Sequence, residues 1–192
     1  MKAGKNGVTS KTPKNIMFGA GTIHKGLKYA ENAWNFAESL VGATSGGSKL
    51  SIVPEITPIE VDGALVTAKG LQVKTGETGT MEVNFIELSA DIIKASVIGK
   101  ADTENAVDGY EVIMSKADIE EGDYWENIAF VGKTLEGKNI IAILDNALCT
   151  SGLELEGKNK EAGVGAFTFT SHAELESDLD TLPWRIYYPQ TA

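Results

Sequence analysis

PEITPIEVDGALVTAKGLQVKTGETGTMEVNFIELSADIIKASVIGK, residues 54–100, is the stretch whose reading decides the fold. It runs as strand, glycine-punctuated turn, alternating strand and short helix, and it holds no residue placed for chemistry. Met81, Val83 and Phe85 share one side of a period-two pattern and Thr80, Glu82 and Asn84 the other, which predicts a half-buried strand. Four residues further on, Ser89 stands as an N-cap, Asp91 sits in the first turn against the positive end of the helix dipole, and Gly99 ends the run. Leu88, Ile92 and Ala95, flanked by Ile93 and Val97, make a broad apolar stripe. A lone helix with such a stripe needs a sheet to cover.

Working outward, the C-terminal half is strand-like at Tyr110–Met114, Asn127–Thr134 and Asn139–Leu148. Ile140–Leu144 (IIAIL) is continuously apolar, as a strand covered on both faces should be. Leu153 and Leu155 alternate with Glu154 and Glu156, which predicts a one-side-wet strand. Phe167 and Phe169 oppose Ala166, Thr168 and Thr170 within Val164–Ser171, and Trp184, Ile186 and Tyr188 alternate again. Residues 29–42 suit a helix or a strand equally. Pro54 and Pro58 exclude a central strand and leave an edge or an extended loop around 44–75. Turn signals every 8–12 residues or so are the mark of a sandwich or barrel. The expected fold is mainly β (α+β): an antiparallel β-sandwich or barrel with one flanking α-helix, spanning 19–192 as a single domain behind a flexible basic arm at 1–18.

At 192 residues the chain can bury one real core, and no run approaches the apolar length needed to span a bilayer. The N-terminus lacks the apolar region of a secretory signal, and the single Cys149 excludes an internal disulfide framework. Together these point to folding in a reducing cytoplasm. Net charge is −10, unevenly spread: the first 28 residues carry Lys2, Lys5, Lys11, Lys14, Lys25 and Lys28 with no acid, and the rest holds 11 basic against 27 acidic side chains. The arm lacks aromatics for bases to stack on, and the acidic body repels duplex DNA. Docking of the arm on the acidic body of a neighbouring copy is the favoured reading.

Chemistry-bearing motifs are weak. Gly21–Gly26 (GTIHKG) has phosphate-loop glycine spacing, but Leu27 and Lys28 replace the lysine and hydroxyl that must follow. His24 stands where a dinucleotide fingerprint needs its third glycine. His24, His172 and Cys149 fall at no metal-ligand spacing and in no nucleophile–base motif, and Cys149 reads as a core filler. The string Glu174, Glu176, Asp178, Asp180 lacks the bend glycine of a calcium loop and reads as a solvated strand edge or a face for the basic arm. Trp34, Trp125 and Trp184 lie beside apolar neighbours and read as core or interface. The expectation is no enzyme, no metal and no cofactor.

Three segments, Ile56–Gly70 (ITPIEVDGALVTAKG), Thr80–Gly99 and Asp145–Gly157 (DNALCTSGLELEG), resemble the major tail tube proteins of long-tailed (siphovirus-type) bacteriophages and prophages, in a likeness extending from about Ile16 to the C-terminus. That resemblance implies a β-sandwich flanked by a helix, six copies closing into a ring, and rings stacking into a hollow tube that delivers DNA without binding it specifically. It implies residence in the virion tail after assembly in the host cytoplasm, with tape measure, distal tail and tail terminator proteins as partners and no membrane. On this reading Glu82, Glu154 and Glu156 are candidate lumen-facing acids. Candidate inter-ring contacts are Lys2, Lys5, Lys11 and Lys14 of the arm, with Pro54, Pro58, Glu60, Asp62, Gly63 and Lys69 of the loop. The inner tube of a contractile tail or tail-like bacteriocin shares the subunit design. From another class, a monomeric carbohydrate-binding or capsid decoration module fits the same motif-free, acidic, β-rich profile.

Overall fold

The computed structural model describes residues 6–157, 159–177 and 179–190. Helix α1 (Thr12–Asn15) leads into strand β1 (Met17–Lys25), a two-residue hairpin of β2 (Tyr29–Ala30) and β3 (Ala33–Trp34), and helix α2 (Phe36–Ser39). The long strands β4 (Thr44–Pro58) and β5 (Gln72–Phe85) follow, then helix α3 (Ala90–Val97) and the short pair β6 (Gly99–Ala101) and β7 (Ile113–Ser115). Strands β8 (Trp125–Thr134), β9 (Asn139–Cys149), β10 (Gly165–Ser171) and β11 (Trp184–Tyr187) complete the chain.

The main sheet is antiparallel in the order β1-β8-β9-β10-β5-β4, with β11 on the first half of β9 beside the place where β10 diverges. It coils until its two ends meet: Ile23 of β1 shares the inner cluster with Met81, Val83 and Phe85 of β5 and packs with Leu50 and Ile52 of β4. Helix α3 closes one mouth with Ile92, and Phe167 and Phe169 fill the centre. The expected antiparallel β fold with a flanking helix holds.

Strands β8 and β9 are covered on both sides. Ile128 and Leu144 face the inner cluster; Ala129, Val131, Ile141 and Ile143 face outward under Trp34 and Phe36. The ambiguous stretch 29–42 is that cover. Glu31 and Asn32, both left-handed, turn the β2–β3 hairpin, and Asn127 binds both the N–H and the carbonyl of Leu27 to hold the segment down.

Several expectations need correction. The loop around 44–75 is a continuous hairpin whose loop contracts to 59–71, because β4 is the edge strand and Pro54 and Pro58 need not donate outward. The arm is shorter than 1–18, since Met17 and Phe18 already pair with Thr134 and Lys133 and α1 precedes them; Lys2 and Lys5 lie outside the described residues. Residues 153–156 form no strand. Gly152 turns left-handed at φ 75°, and the Ser151 hydroxyl takes the Thr168 N–H that a pairing strand would have taken. The string from Glu174 to Asp180 lies between β10 and β11 in turns, not on a strand edge, with Asp178 outside the described residues. The strand expected at Tyr110–Met114 narrows to β7.

Ser89 caps α3 as its sequence suggests, its hydroxyl accepting the Ile92 N–H at 3.3 Å. The left-handed residue at the other end is Ile98 (φ 49°), not Gly99. Gly99 answers a different need, since a Cβ there would meet the Met114 carbonyl and the Ile113 side chain at 3.1 Å.

Candidate assembly surface

The hairpin divides into two halves. Along β4 the core-facing row is Leu50, Ile52, Pro54, Ile56, Pro58, opposite Met81, Gly79, Glu77, Lys74 and Gln72 of β5. Leu50 and Ile52 pack against the core, whereas every residue from Val53 to Pro58 is exposed on both sides of the ribbon. The strand has therefore carried its apolar row past the end of the body. At about 3.4 Å per residue, the stretch from Val53 to Pro58 projects about 20 Å. A bulge sets Thr75 out of register where Glu55↔Gly76 passes to Ile56↔Lys74, adding twist at mid-ribbon. The ribbon's root is braced from β11: the Trp184 indole N–H donates to Glu77, and Lys74 pairs with the same carboxylate at 3.0 Å. Those two contacts, Lys74 foremost, hold the Glu77 carboxyl below its usual range.

The tip is built from two turns. The Ala64 N–H bonds the Val61 carbonyl around Asp62 and Gly63, and the Leu71 N–H bonds the Ala68 carbonyl around Lys69 and Gly70. Gly63 (φ 83°) and Gly70 (φ 92°) take the left-handed corners. Between the turns Leu65 is 99% and Val66 80% exposed, beside the acids Glu60 and Asp62. Pro54, Pro58, Glu60, Asp62, Gly63 and Lys69 thus all lie on one projecting element. Lys11 and Lys14 lie elsewhere, on the segment entering β1.

The sheet brings two of the three singled-out acids together. Glu82 and Glu154 line one polar cavity with Lys49, Asn84 and Thr168. Glu82 faces out beside Thr168 and is ion-paired with Lys49 at 2.8 Å, so this wall is less negative than its sequence suggests. Glu156 follows in the irregular segment leading away from that cavity.

A second cavity, about 560 Å³, opens between α2 and the β1–β8 edge. It exists because β1 loops away from β8: Phe18 pairs with Lys133 and Thr22 with Val131, so the three residues Gly19–Gly21 stand against Gly132 alone. Gly21 (φ 70°) is required there, since a Cβ would lie 2.9 Å from the Val131 carbonyl. Phe18, Phe36, Ala37, Leu40 and Val131 make most of its lining apolar.

His24, on the wall of this cavity, is 2% exposed. Its Nδ1 lies 2.9 Å from the Ser39 hydroxyl, which donates to the Asn35 carbonyl, and its Nε2 lies 2.8 Å from the Thr22 hydroxyl. Since the Ser39 proton is committed to Asn35, Nδ1 carries the hydrogen and Nε2 accepts from Thr22. This polarity is the reverse of what an activated serine requires; the pair pins α2 to β1. Burial pushes the His24 pKa down, opposed in part by a hydrogen bond to the Phe36 backbone. Cys149 is buried in the core with its thiol pushed up by desolvation, and the His172 ring stands edge-on to Tyr124. Among the described residues no cluster of three or more His, Cys, Asp or Glu is placed to hold a metal ion, and no helix is long and apolar enough to cross a membrane.

The uncovered ribbon and the cavity escaped the sequence reading, although the period-two row Leu50–Pro58 was the available signal for the first. A scan against protein-family models finds none that matches, and a search of curated proteins finds no match.

Proposed function

We propose that this chain is a structural subunit that polymerises with copies of itself: the major tube protein of a long-tailed bacteriophage or prophage, six copies to a ring and rings stacked into a conduit for DNA. The observation that carries this reading is the ribbon of β4 and β5, uncovered and carrying Pro54, Ile56 and Pro58 in line with the buried row, with Val53 and Val73 exposed on its other face. A two-stranded ribbon alone is marginal in water, and an exposed β edge invites pairing, so such an element is at rest only against another surface. The outer edge of β4 supplies a further pairing surface of the kind a ring joins, whereas β1 is already met at Ile23 and His24 by Val41 and Leu40. The three sequence segments that resemble tail tube proteins give the assembly its particular form. One of them spans the hairpin tip and another runs from β5 through α3.

In this reading Glu82, Glu154 and Glu156 belong to the wall of the bore, where negative charge keeps phosphates from sticking. The basic segment with Lys11 and Lys14 meets an acidic neighbour. Imaging of purified protein by negative stain tests the whole: rings or tubes support it, and dispersed globules at every concentration and salt overturn it. Replacing the three acids by lysine should leave tubes intact and slow DNA delivery, and unchanged delivery would remove them from the bore. Deleting residues 1–16, which leaves β1 whole, should block stacking while leaving folded protein, with long tubes from the truncated chain as the contrary result.

A further inference from the structure

The cavity between α2 and the β1–β8 edge is sorted by polarity, and the strand registers do the sorting. Phe18 of β1, Lys133 of β8 and Asn139 of β9 are cross-strand neighbours, so their side chains form one row on the outer face of the sheet. The next outward row, two residues along β8, is Thr22, Val131 and Ile141. Phe36, Ala37 and Leu40 of α2 complete the lining. A cation and an amide therefore mark one end of the cavity, and the rest of its wall is mostly apolar. Its volume of about 560 Å³ is of the order that holds a small molecule.

Among the described residues Lys133 has no ion pair, the Asn139 side chain has no hydrogen-bond partner, and no carboxylate lines the cavity. Glu38 on α2 and Glu136 in the β8–β9 turn lie outside the lining. The other polar groups on the wall are already engaged, since both His24 ring nitrogens are taken by Thr22 and Ser39. Apolar wall stands open to water as well, with Phe18 73% and Leu40 51% exposed. We propose that this cavity binds a small amphipathic carboxylate, its head on Lys133 and Asn139 and its hydrocarbon tail along Val131 between Phe18 and Leu40. The ammonium and the amide N–H supply one donor for each oxygen of a singly charged head. A doubly charged phosphate head would leave half its charge uncompensated here. The tail removes Phe18 and Leu40 from water, which is the apolar share of the affinity. Binding of such a ligand goes beyond the polymer reading and does not depend on it.

The test is calorimetric titration of the full chain with decanoate, decanol and decyl phosphate, each below its micelle concentration. Decanoate should saturate at one molecule per chain. Lys133→Met should weaken decanoate about tenfold and leave decanol unchanged, and Lys133→Arg should keep most of the decanoate affinity. Ala37→Trp, at an exposed position on the wall, should fill the cavity and abolish binding of both ligands without lowering the melting temperature. Lys133 is exposed, so its variants fold and keep the assignment testable even where Ala37→Trp does not. No saturable decanoate binding by the parent protein overturns the proposal. So does an affinity indifferent to Lys133→Met, binding that survives in folded Ala37→Trp, or decyl phosphate binding tighter than decanoate. None of these results bears on whether the chain forms tubes, which negative stain reads separately.

Discussion

The two halves of the β4–β5 hairpin share one backbone ladder and differ in everything around it. At the root, Met81, Val83 and Phe85 are essentially inaccessible to solvent and the Leu50–Ile52 row closes against them. Beyond Gly79 the same alternation continues through Pro54, Ile56 and Pro58, paired with Glu77, Lys74 and Gln72 and left exposed. The root is held by the subunit's own core, whereas the outer half carries apolar side chains, Val53, Ile56 and Val73, that stay about half exposed in the single chain. The difference separates what the sequence specifies for stability from what it reserves for contact.

The largest test of that contrast is Phe85→Ala, expected to cost about 3–5 kcal/mol of unfolding free energy by loss of buried contacts and an unfilled void. Ile56→Ser in the outer half should shift unfolding by no more than about 0.5 kcal/mol and yet raise the concentration needed for assembly. Denaturant titration and sedimentation read the two effects separately, and equal destabilisation by both would erase the distinction. Next in size, Gly99→Ala should cost about 1–3 kcal/mol by overpacking against Ile113 and Met114, with assembly of the surviving folded protein unaffected.

A smaller, pH-dependent effect belongs to the body alone. Burial lowers the His24 pKa beneath 6.5, so the unfolded chain takes up the proton first as pH falls. The stabilisation from neutral His24 is therefore complete above 6.5 and is lost progressively as pH drops through that value towards the folded pKa. Melting curves from pH 8 to pH 5 should fall less steeply for His24→Gln than for the parent, and identical slopes would dismiss the pin. Smallest of all, Lys49→Ala breaks an exposed pair with Glu82 that contributes about 0–1 kcal/mol, and its unfolding midpoint should barely move.

The parts legible in sequence were those where one period ruled. The Met81–Phe85 alternation, the apolar IIAIL run and the Ser89 cap each follow from local geometry, and each stands in the structure. Leu153–Glu156 had the same alternation and formed no strand, because a side-chain hydroxyl at Ser151 captured the backbone partner first. The Pro54/Pro58 pair was legible as an edge but not as an arm, since exposure depends on where the body ends. The cavity by α2 was illegible: it arises from a register jump in β1 opposite residues more than 100 positions away.

That distance has a further consequence, in time instead of space. Hairpin β4–β5 joins residues as near as Pro58 and Gln72, whereas β1 must find partners such as Val131 for Thr22. Closing so long a span is entropically dearer and slower. Each newly made molecule therefore passes through an interval in which strand β8 has one bare flank, and how quickly β1 covers it governs how much protein is lost to indiscriminate clumping.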